Sequence, residues 1–266
     1  MCFMAFFKRI GIYFLVNALI IITISTILRL LNVQPYLSAA GLNYTSLAIF
    51  CLIWGIAGSL VSLALSRKMS KWLLGVHVID PKRATDEEKQ IWSMVFKLAK
   101  KAAIPMPEVG IYPSQEPNAF ATGPTKSRSL VALSTGLLNS MSQEEVEGVI
   151  GHEIAHIQNG DMVTMTLLQG LVNAFVMFFA RALAYALTRT ARDERSSYLG
   201  YYVLVYVFEI CFLLLGSIAI AAYSRFREYR ADAGGAKLAG KSAMINALKA
   251  LENIGKTARI PAQEKQ

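Results

Sequence analysis

The stretch VIGHEIAHIQNGD, Val149 to Asp161, holds two of the three histidines in a chain of 266 residues. His152 and His156 stand four residues apart, and on a helix that spacing puts both side chains on one face, where they can meet a single ion. Glu153 directly follows the first histidine and can reach a water held at such an ion. This is the H-E-x-x-H pattern in which two imidazoles bind zinc and the glutamate acts as general base of a hydrolase. Chance would place the pattern in roughly one chain per thousand of this composition, with positions treated as independent.

A catalytic zinc takes three protein ligands and keeps one position open. A histidine extension of the motif would need His at position 162, where Met162 stands. His77, in GVHVID, is the remaining histidine. It is expected to have no acidic or histidine partner placed to share an ion with it, and a lone histidine of this kind is more often a packed or surface residue. A carboxylate is therefore expected as third ligand. Downstream of His156 one acidic pair is spaced i, i+4: Glu228 and Asp232, in SRFREYRAD. Glu228 can bind the ion while Asp232 accepts a hydrogen bond from the free ring nitrogen of a ligand histidine. The competing reading is a solvated charged face, since Arg227 and Arg230 are neighbours. Structural zinc sites fill all four positions with protein ligands. No fourth ligand accompanies these three, which disfavours the alternative of a non-catalytic zinc-binding scaffold or sensor.

These residues need rigid elements. In SQEEVEGVIGHEIAHIQNG, Ser142 and Glu145 have capping-box spacing and Gly160 falls where a left-handed C-cap belongs, so a helix is expected between them. Gly148 and Gly151 inside it each cost about 1 kcal/mol against alanine, a cost that close packing of another backbone would explain. Thr85 and Glu88 start a second, amphipathic helix that ends before Pro105. EVGIY and SLVALS are strand candidates, with NAFATG between them as a third. Pro117 and Pro124 bound that third strand and keep it short. Alternation places Ala119 and Ala121 on one face and Phe120 and Thr122 on the other. The small residues are expected to leave room for a peptide backbone, with Phe120 packed inward.

The rest of the chain is greasy. Charged residues make up 17%, below the roughly 25% of soluble domains. Uncharged runs cover Ile10–Leu28, Leu30–Ser66 and Met162–Ala180, and Ser196–Ser224 is broken by Glu209 alone. A crossing helix needs about 20 residues, so about four membrane helices fit, the first reading as an anchor and not a secretory signal. The expected layout is a hairpin over 1–66 (about 9–31 and 43–66), joined by a turn in NVQPYLSAAGLN. A catalytic segment (67–161), a second hydrophobic hairpin over 162–224 (about 162–180 and 198–224) and a helix and tail (225–266) follow. Lys8 and Arg9 precede the first span, Arg67, Lys68 and Lys71 follow the second, and the turn between them is uncharged. The positive-inside rule then puts the segment after Ser66 in the cytoplasm. The net charge of +9 lies beside the hydrophobic helices and in the tail. No basic stripe with interleaved aromatics appears, so nucleic acid is not an expected partner. Glu209, inside an apolar run, costs about 2.5–3.5 kcal/mol on insertion scales. Without inverted repeats or broken helices it is weak support for a transporter.

The motif GHEIAHIQNGDM, the downstream SRFREYRADAGGAKL, the flanking hydrophobic hairpins and PNAFATG together resemble the HtpX family of bacterial membrane metalloproteases, relatives of the type I CAAX prenyl proteases. The resemblance runs from the first hairpin to about Leu251. It implies a mainly α membrane protein with a zincin-like α+β catalytic domain of gluzincin type, in which a helix carries HExxH beside a small sheet with an edge strand. One Zn2+ per chain would be held by His152, His156 and Glu228, with Glu153 as base. Asn118, Ala119, Phe120, Ala121 and Thr122 would match the strand that pairs with substrate backbone. The implied activity is endopeptidase cleavage of misfolded or damaged membrane proteins in quality control and stress response. It would act at the bacterial inner membrane, with the site facing the cytoplasm and the bilayer as its other partner. Family members also carry a His-Pro element and an arginine beyond the ligand helix; the stretch here, GKTARIPAQEKQ, holds no histidine.

Overall fold

A computed structural model describes residues 37–38, 41–188 and 194–259, with Ile22, Thr26 and Leu30 as isolated helical positions. The predicted first span, about 9–31, otherwise lies outside the described residues. Leu37–Ser38 (β1) and Gly41–Leu42 (β2) form a two-residue antiparallel ladder within the predicted turn. The chain divides into two compact units, one of described residues up to Leu63 with Thr164–Ser224, the other of Ala64–Val163 with the residues from Arg225 onward.

The first unit draws on three long helices: α1 (Tyr44–Leu74), α5 (Asp161–Thr188) and α6 (Glu194–Leu238). Among the described residues these three are long and apolar enough to cross a membrane. Their outward apolar side chains, including Phe175, Leu214 and Ile218, are exposed, the surface a bilayer would cover. The protein is membrane-embedded. Glu209 accepts from Arg181 Nη1 at 2.5 Å, so the carboxylate inside an apolar run has a structural partner. Helix α6 continues unbroken through residues 225–238, with no proline in that stretch and with Gly234 and Gly235 inside the helix.

The second unit is α+β. Its four-stranded sheet has the order β3 (His77–Val78), β4 (Glu108–Tyr112), β6 (Leu130–Ser134), β5 (Ala119–Thr122), with β4 and β6 parallel and the other pairs antiparallel. All five residues of β6 are buried. β5 is the edge. Helix α2 (Asp86–Lys101) begins at Thr85 with both bonds of the capping box in place, a short α3 (Thr135–Ser140) follows β6, and α7 (Lys241–Arg259) closes the unit. Helix α4 (Gln143–Asn159) has the second capping box, Ser142 with Glu145, and Gly160 in the left-handed conformation (φ 73°).

Ile150, Ile154 and Ile157 of α4, Val131 and Leu133 of β6, and Val95 and Leu98 of α2 share one core. The glycines of α4 let other helices approach it. A Cβ on Gly148 would stand 2.4 Å from the Ala243 carbonyl oxygen, and one on Gly151 3.0 Å from the Ala239 Cβ. A Cβ on Gly235 of α6 would in turn stand 3.0 Å from the His152 backbone nitrogen.

Candidate functional site

Helix α4 carries His152, Glu153 and His156 on the side that meets α6 and β5. The two imidazoles are nearly perpendicular (86°), with centroids 4.6 Å apart, and their Nε2 atoms are 3.0 Å apart. Glu228 Oε2, from α6, lies 3.2 Å from His152 Nε2 and 3.4 Å from His156 Nε2. The opposite ring nitrogens are both engaged: His152 Nδ1 donates to Asp232 Oδ1 at 2.8 Å, and His156 Nδ1 to Asp161 Oδ2 at 2.7 Å. An ionised carboxylate can only accept, so each Nδ1 donates, and a neutral imidazole held in that way turns the lone pair of Nε2 toward the site.

Three atoms able to act as metal ligands therefore converge. That arrangement calls for a cation. Tetrahedral zinc at about 2.0–2.1 Å from its ligands separates them by about 3.3 Å, matching the spacings of 3.0–3.4 Å here. His152, His156 and Glu228 could hold such an ion as a group. The donor set fits a metal.

Glu228 divides its carboxylate. Oε1 accepts from Arg227 Nη2 at 2.8 Å and Nε at 3.2 Å, which leaves Oε2 for the site. Burial pushes its pKa up, but the Arg227 hydrogen bond, His156, the Arg227 charge and His152 outweigh it and hold the carboxyl below its ordinary value. Glu153 is the reverse case. It is buried, with 9% of its surface exposed, and burial pushes its carboxyl up against the pull of His152, His156 and the Ala121 backbone amide. A carboxyl poised upward in this way suits proton transfer.

Two residues that the motif reading passed over complete the site. Asp161, the first residue of α5, is wholly buried and is held by His156 on one oxygen and by Arg230 Nη2 on the other. A buried carboxylate needs such partners. The signal available in the sequence was an acidic residue immediately after the Gly160 cap, five positions from a ligand histidine. Arg230, weighed only as a sign of a solvated face, turns inward to Asp161.

His77 is on β3, exposed, with Nε2 3.7 Å from Glu88 Oε1. An acidic neighbour is nonetheless present, because the fold brings the start of α2 to it. It does not join the cluster around His152.

Asn118 to Thr122 lie along the sheet edge. Ser134 N donates to the Asn118 carbonyl, and the register then makes Phe120 and Thr122 the residues bonded to β6. The amides of Ala119 and Ala121 face the open side. The side-chain faces are opposite to the expectation: Ala119 and Ala121 pack against the main core, whereas Phe120 sits with Tyr112 in the smaller cluster on the other face. The small residues make room for the motif helix, which packs against the same core.

The model of peptidase family M48 matches residues 85–256. The chain is 49% identical over 265 residues to "Protease HtpX homolog" of Bacillus licheniformis, covering 97% of this chain and 88% of that one. It is 50% identical over 252 residues to the protein of that name in Prosthecochloris aestuarii, covering 93% and 86%. The fold is similar to the crystal structure of S. mikatae Ste24p, with a TM-score of 0.68 at 17% identity over 95% of this chain and 59% of that one. The chain belongs to peptidase family M48, among the HtpX relatives. It is a membrane metalloprotease.

Proposed function

We propose that this protein is a zinc-dependent endopeptidase of the bacterial inner membrane that cuts misfolded or damaged membrane proteins on the cytoplasmic side, in quality control. The observation that carries the reading is the convergence of two imidazole Nε2 atoms and one carboxylate oxygen beside a buried glutamate. Bound zinc would supply Lewis acidity, acidifying water and polarising a carbonyl. His152, His156 and Glu228 would hold it, with Asp232 and Asp161 fixing the two rings. Glu153 would take a proton from water as its oxygen attacks the peptide carbonyl carbon, then deliver that proton to the leaving amine nitrogen as the C–N bond breaks. The Ala121 amide orients the Glu153 carboxylate. Substrate backbone along the open edge of β5 would bind through main-chain hydrogen bonds with little dependence on sequence, which suits a quality-control substrate range.

The test is cleavage of casein and of a destabilised membrane protein by purified protein in detergent. Activity is expected to be lost with chelator, to return with zinc and to be absent in Glu153→Gln, which keeps its zinc because Glu153 is not a ligand. Cleavage undiminished in Glu153→Gln would sink the reading.

A further inference from the structure

Strand β5 is paired on one side only, to β6, and its other edge is open. The chain enters it from the loop between Tyr112 and Ala119. Where its first amides point therefore depends on how that loop is fastened.

The fastener is Ser134. It is the last residue of β6, the N-cap of α3, and wholly buried. Its hydroxyl accepts from the Asn118 amide at 2.9 Å and from the Leu137 amide at 3.0 Å, and donates to the Glu116 carbonyl at 2.8 Å. A hydroxyl has one proton and two lone pairs, and these three bonds match that capacity. In a regular antiparallel rung, Asn118 would donate to the Ser134 carbonyl. Here β6 ends and α3 begins at Ser134, and the side chain takes that part, while the Ser134 amide still donates to the Asn118 carbonyl at 2.9 Å. Thr135 Oγ1 clips the loop further back, accepting from the Ser114 amide at 3.2 Å and donating to its carbonyl at 2.9 Å. A Cβ on Gly136 would stand 2.2 Å from the Gln115 carbonyl oxygen, so the loop lies directly on the start of α3.

Backbone amides along a strand point alternately to one neighbour and the other. With Asn118 turned inward by Ser134, the next amide, that of Ala119, is turned to the open edge. The Ala121 amide lies between the rungs of Phe120 and Thr122 and keeps its bearing without Ser134. Ser134 itself makes no hydrogen bond to His152, Glu153, His156 or Glu228.

We propose that Ser134 is a positioning residue for substrate backbone: acting through Asn118, it aims the Ala119 amide at a carbonyl of the bound peptide. The proposal rests on the edge-strand part of the protease reading above. It assigns to a buried serine outside the edge a role in substrate binding and none in the chemical step.

The experiment measures KM and kcat of the full chain in detergent with zinc, on a peptide cleaved in a Glu153-dependent way. Ser134→Ala is expected to raise KM by about tenfold, the scale of one hydrogen bond, with kcat nearly unchanged and zinc content normal. Ala119→Pro removes the amide itself, so adding Ser134→Ala to it is expected to raise KM no further. Thr85→Ala deletes the cap of another helix, α2, and is expected to lower stability while leaving KM as it was. Deuterium exchange, which needs no catalysis, is expected to quicken over residues 113–122 in Ser134→Ala. If Ser134→Ala does not fold, Asn118→Pro deletes the same bond from the strand side, leaves the cap of α3 in place, and is expected to raise KM alike. Unchanged KM or unchanged exchange in the variant that folds overturns the assignment. So does a rise in KM that multiplies with that of Ala119→Pro, or one that Thr85→Ala reproduces. Unchanged KM in Ala119→Pro overturns the edge-strand reading and this role with it, and leaves the protease reading standing. Absence of Glu153-dependent cleavage of any peptide overturns all three.

Discussion

His156 donates its Nδ1 proton to Asp161 across the Gly160 break between α4 and α5. The contact spans five residues, yet it fixes the start of one helix against a ligand of the other. Arg230 supplies the charge that makes burial of Asp161 tolerable. Asp161→Asn keeps an acceptor for Nδ1 but removes the charge that raises the basicity of Nε2. Zinc affinity is expected to fall about 10–100-fold, the usual range for a partner of a metal-bound histidine. Competition against a fluorescent chelator measures it, and an unchanged dissociation constant would remove Asp161 from the site.

Glu228 and Asp232 face the same histidine from opposite sides, at Nε2 and Nδ1. Glu228→Ala deletes an atom of the donor triangle, whereas Asp232→Ala deletes a hydrogen bond to one ring. The former is expected to cost more zinc affinity than the 10–100-fold anticipated for the latter. If the order is reversed, Glu228 serves to hold Arg227 and the third ligand lies elsewhere.

Membrane orientation is testable with introduced cysteines. In a background with Cys2, Cys51 and Cys211 changed to serine, Ser38→Cys is expected to react with an impermeant maleimide added to intact cells, and Thr85→Cys only after lysis. The expectation comes from the basic flanks Lys8, Arg9, Arg67, Lys68 and Lys71 and the positive-inside rule. Arg67 and Lys71 also pair with Glu108 of β4, which fixes the end of α1 to the sheet within the second unit. Labelling at position 85 from outside would reverse the topology.

What was readable in the sequence was local. Ser142 and Thr85 announce their helices through residues three positions away, Gly160 through its own freedom at positive φ, and His152 and His156 through one helical turn. The nearness of Glu228 and Asp232 to His152 is in keeping with the i, i+4 spacing expected of a ligand and its partner. The inward turn of Arg230 was not readable, because its contact with Asp161 crosses 69 residues of chain and an arginine beside acidic residues looks solvated in any one-dimensional reading. The faces of β5 were misjudged for a related reason. Alternation tells which residues share a face, but only the approach of α4 decides which face is crowded. The unbroken α6 was also hidden, because a change from apolar to charged residues marks a change of surroundings and does not end a helix.

Gly148 provides a test of packing independent of catalysis. Alanine there gains about 1 kcal/mol of helix propensity but puts a methyl 2.4 Å from the Ala243 carbonyl oxygen, a helix backbone atom that cannot step aside cheaply. Overpacking costs about 1–3 kcal/mol, so the net change is expected to be destabilising. Gly255→Ala, which meets open space, is expected to raise the melting temperature. If both variants shift in the same direction, close approach of α7 does not explain the glycine.

The edge strand yields the remaining prediction. The Ala121 amide faces away from β6 by register and reaches Glu153, so it cannot also be a full donor to substrate. Ala119, two residues along the same edge, has its amide on that open side as well. Proline is tolerated on an edge strand where the N–H is not needed by the ladder, and it deletes a donor, so the two positions can be separated. Ala119→Pro is expected to raise KM with kcat nearly unchanged, because a main-chain contact shared by ground and transition states is removed. Ala121→Pro is expected to lower kcat, because the carboxylate that transfers the proton loses its orienting bond. Zinc content should be normal in both, since neither residue touches the histidines. Unchanged KM in Ala119→Pro would show that substrate does not pair with β5, and unchanged kcat in Ala121→Pro would show that Glu153 is positioned by the histidines and its burial alone.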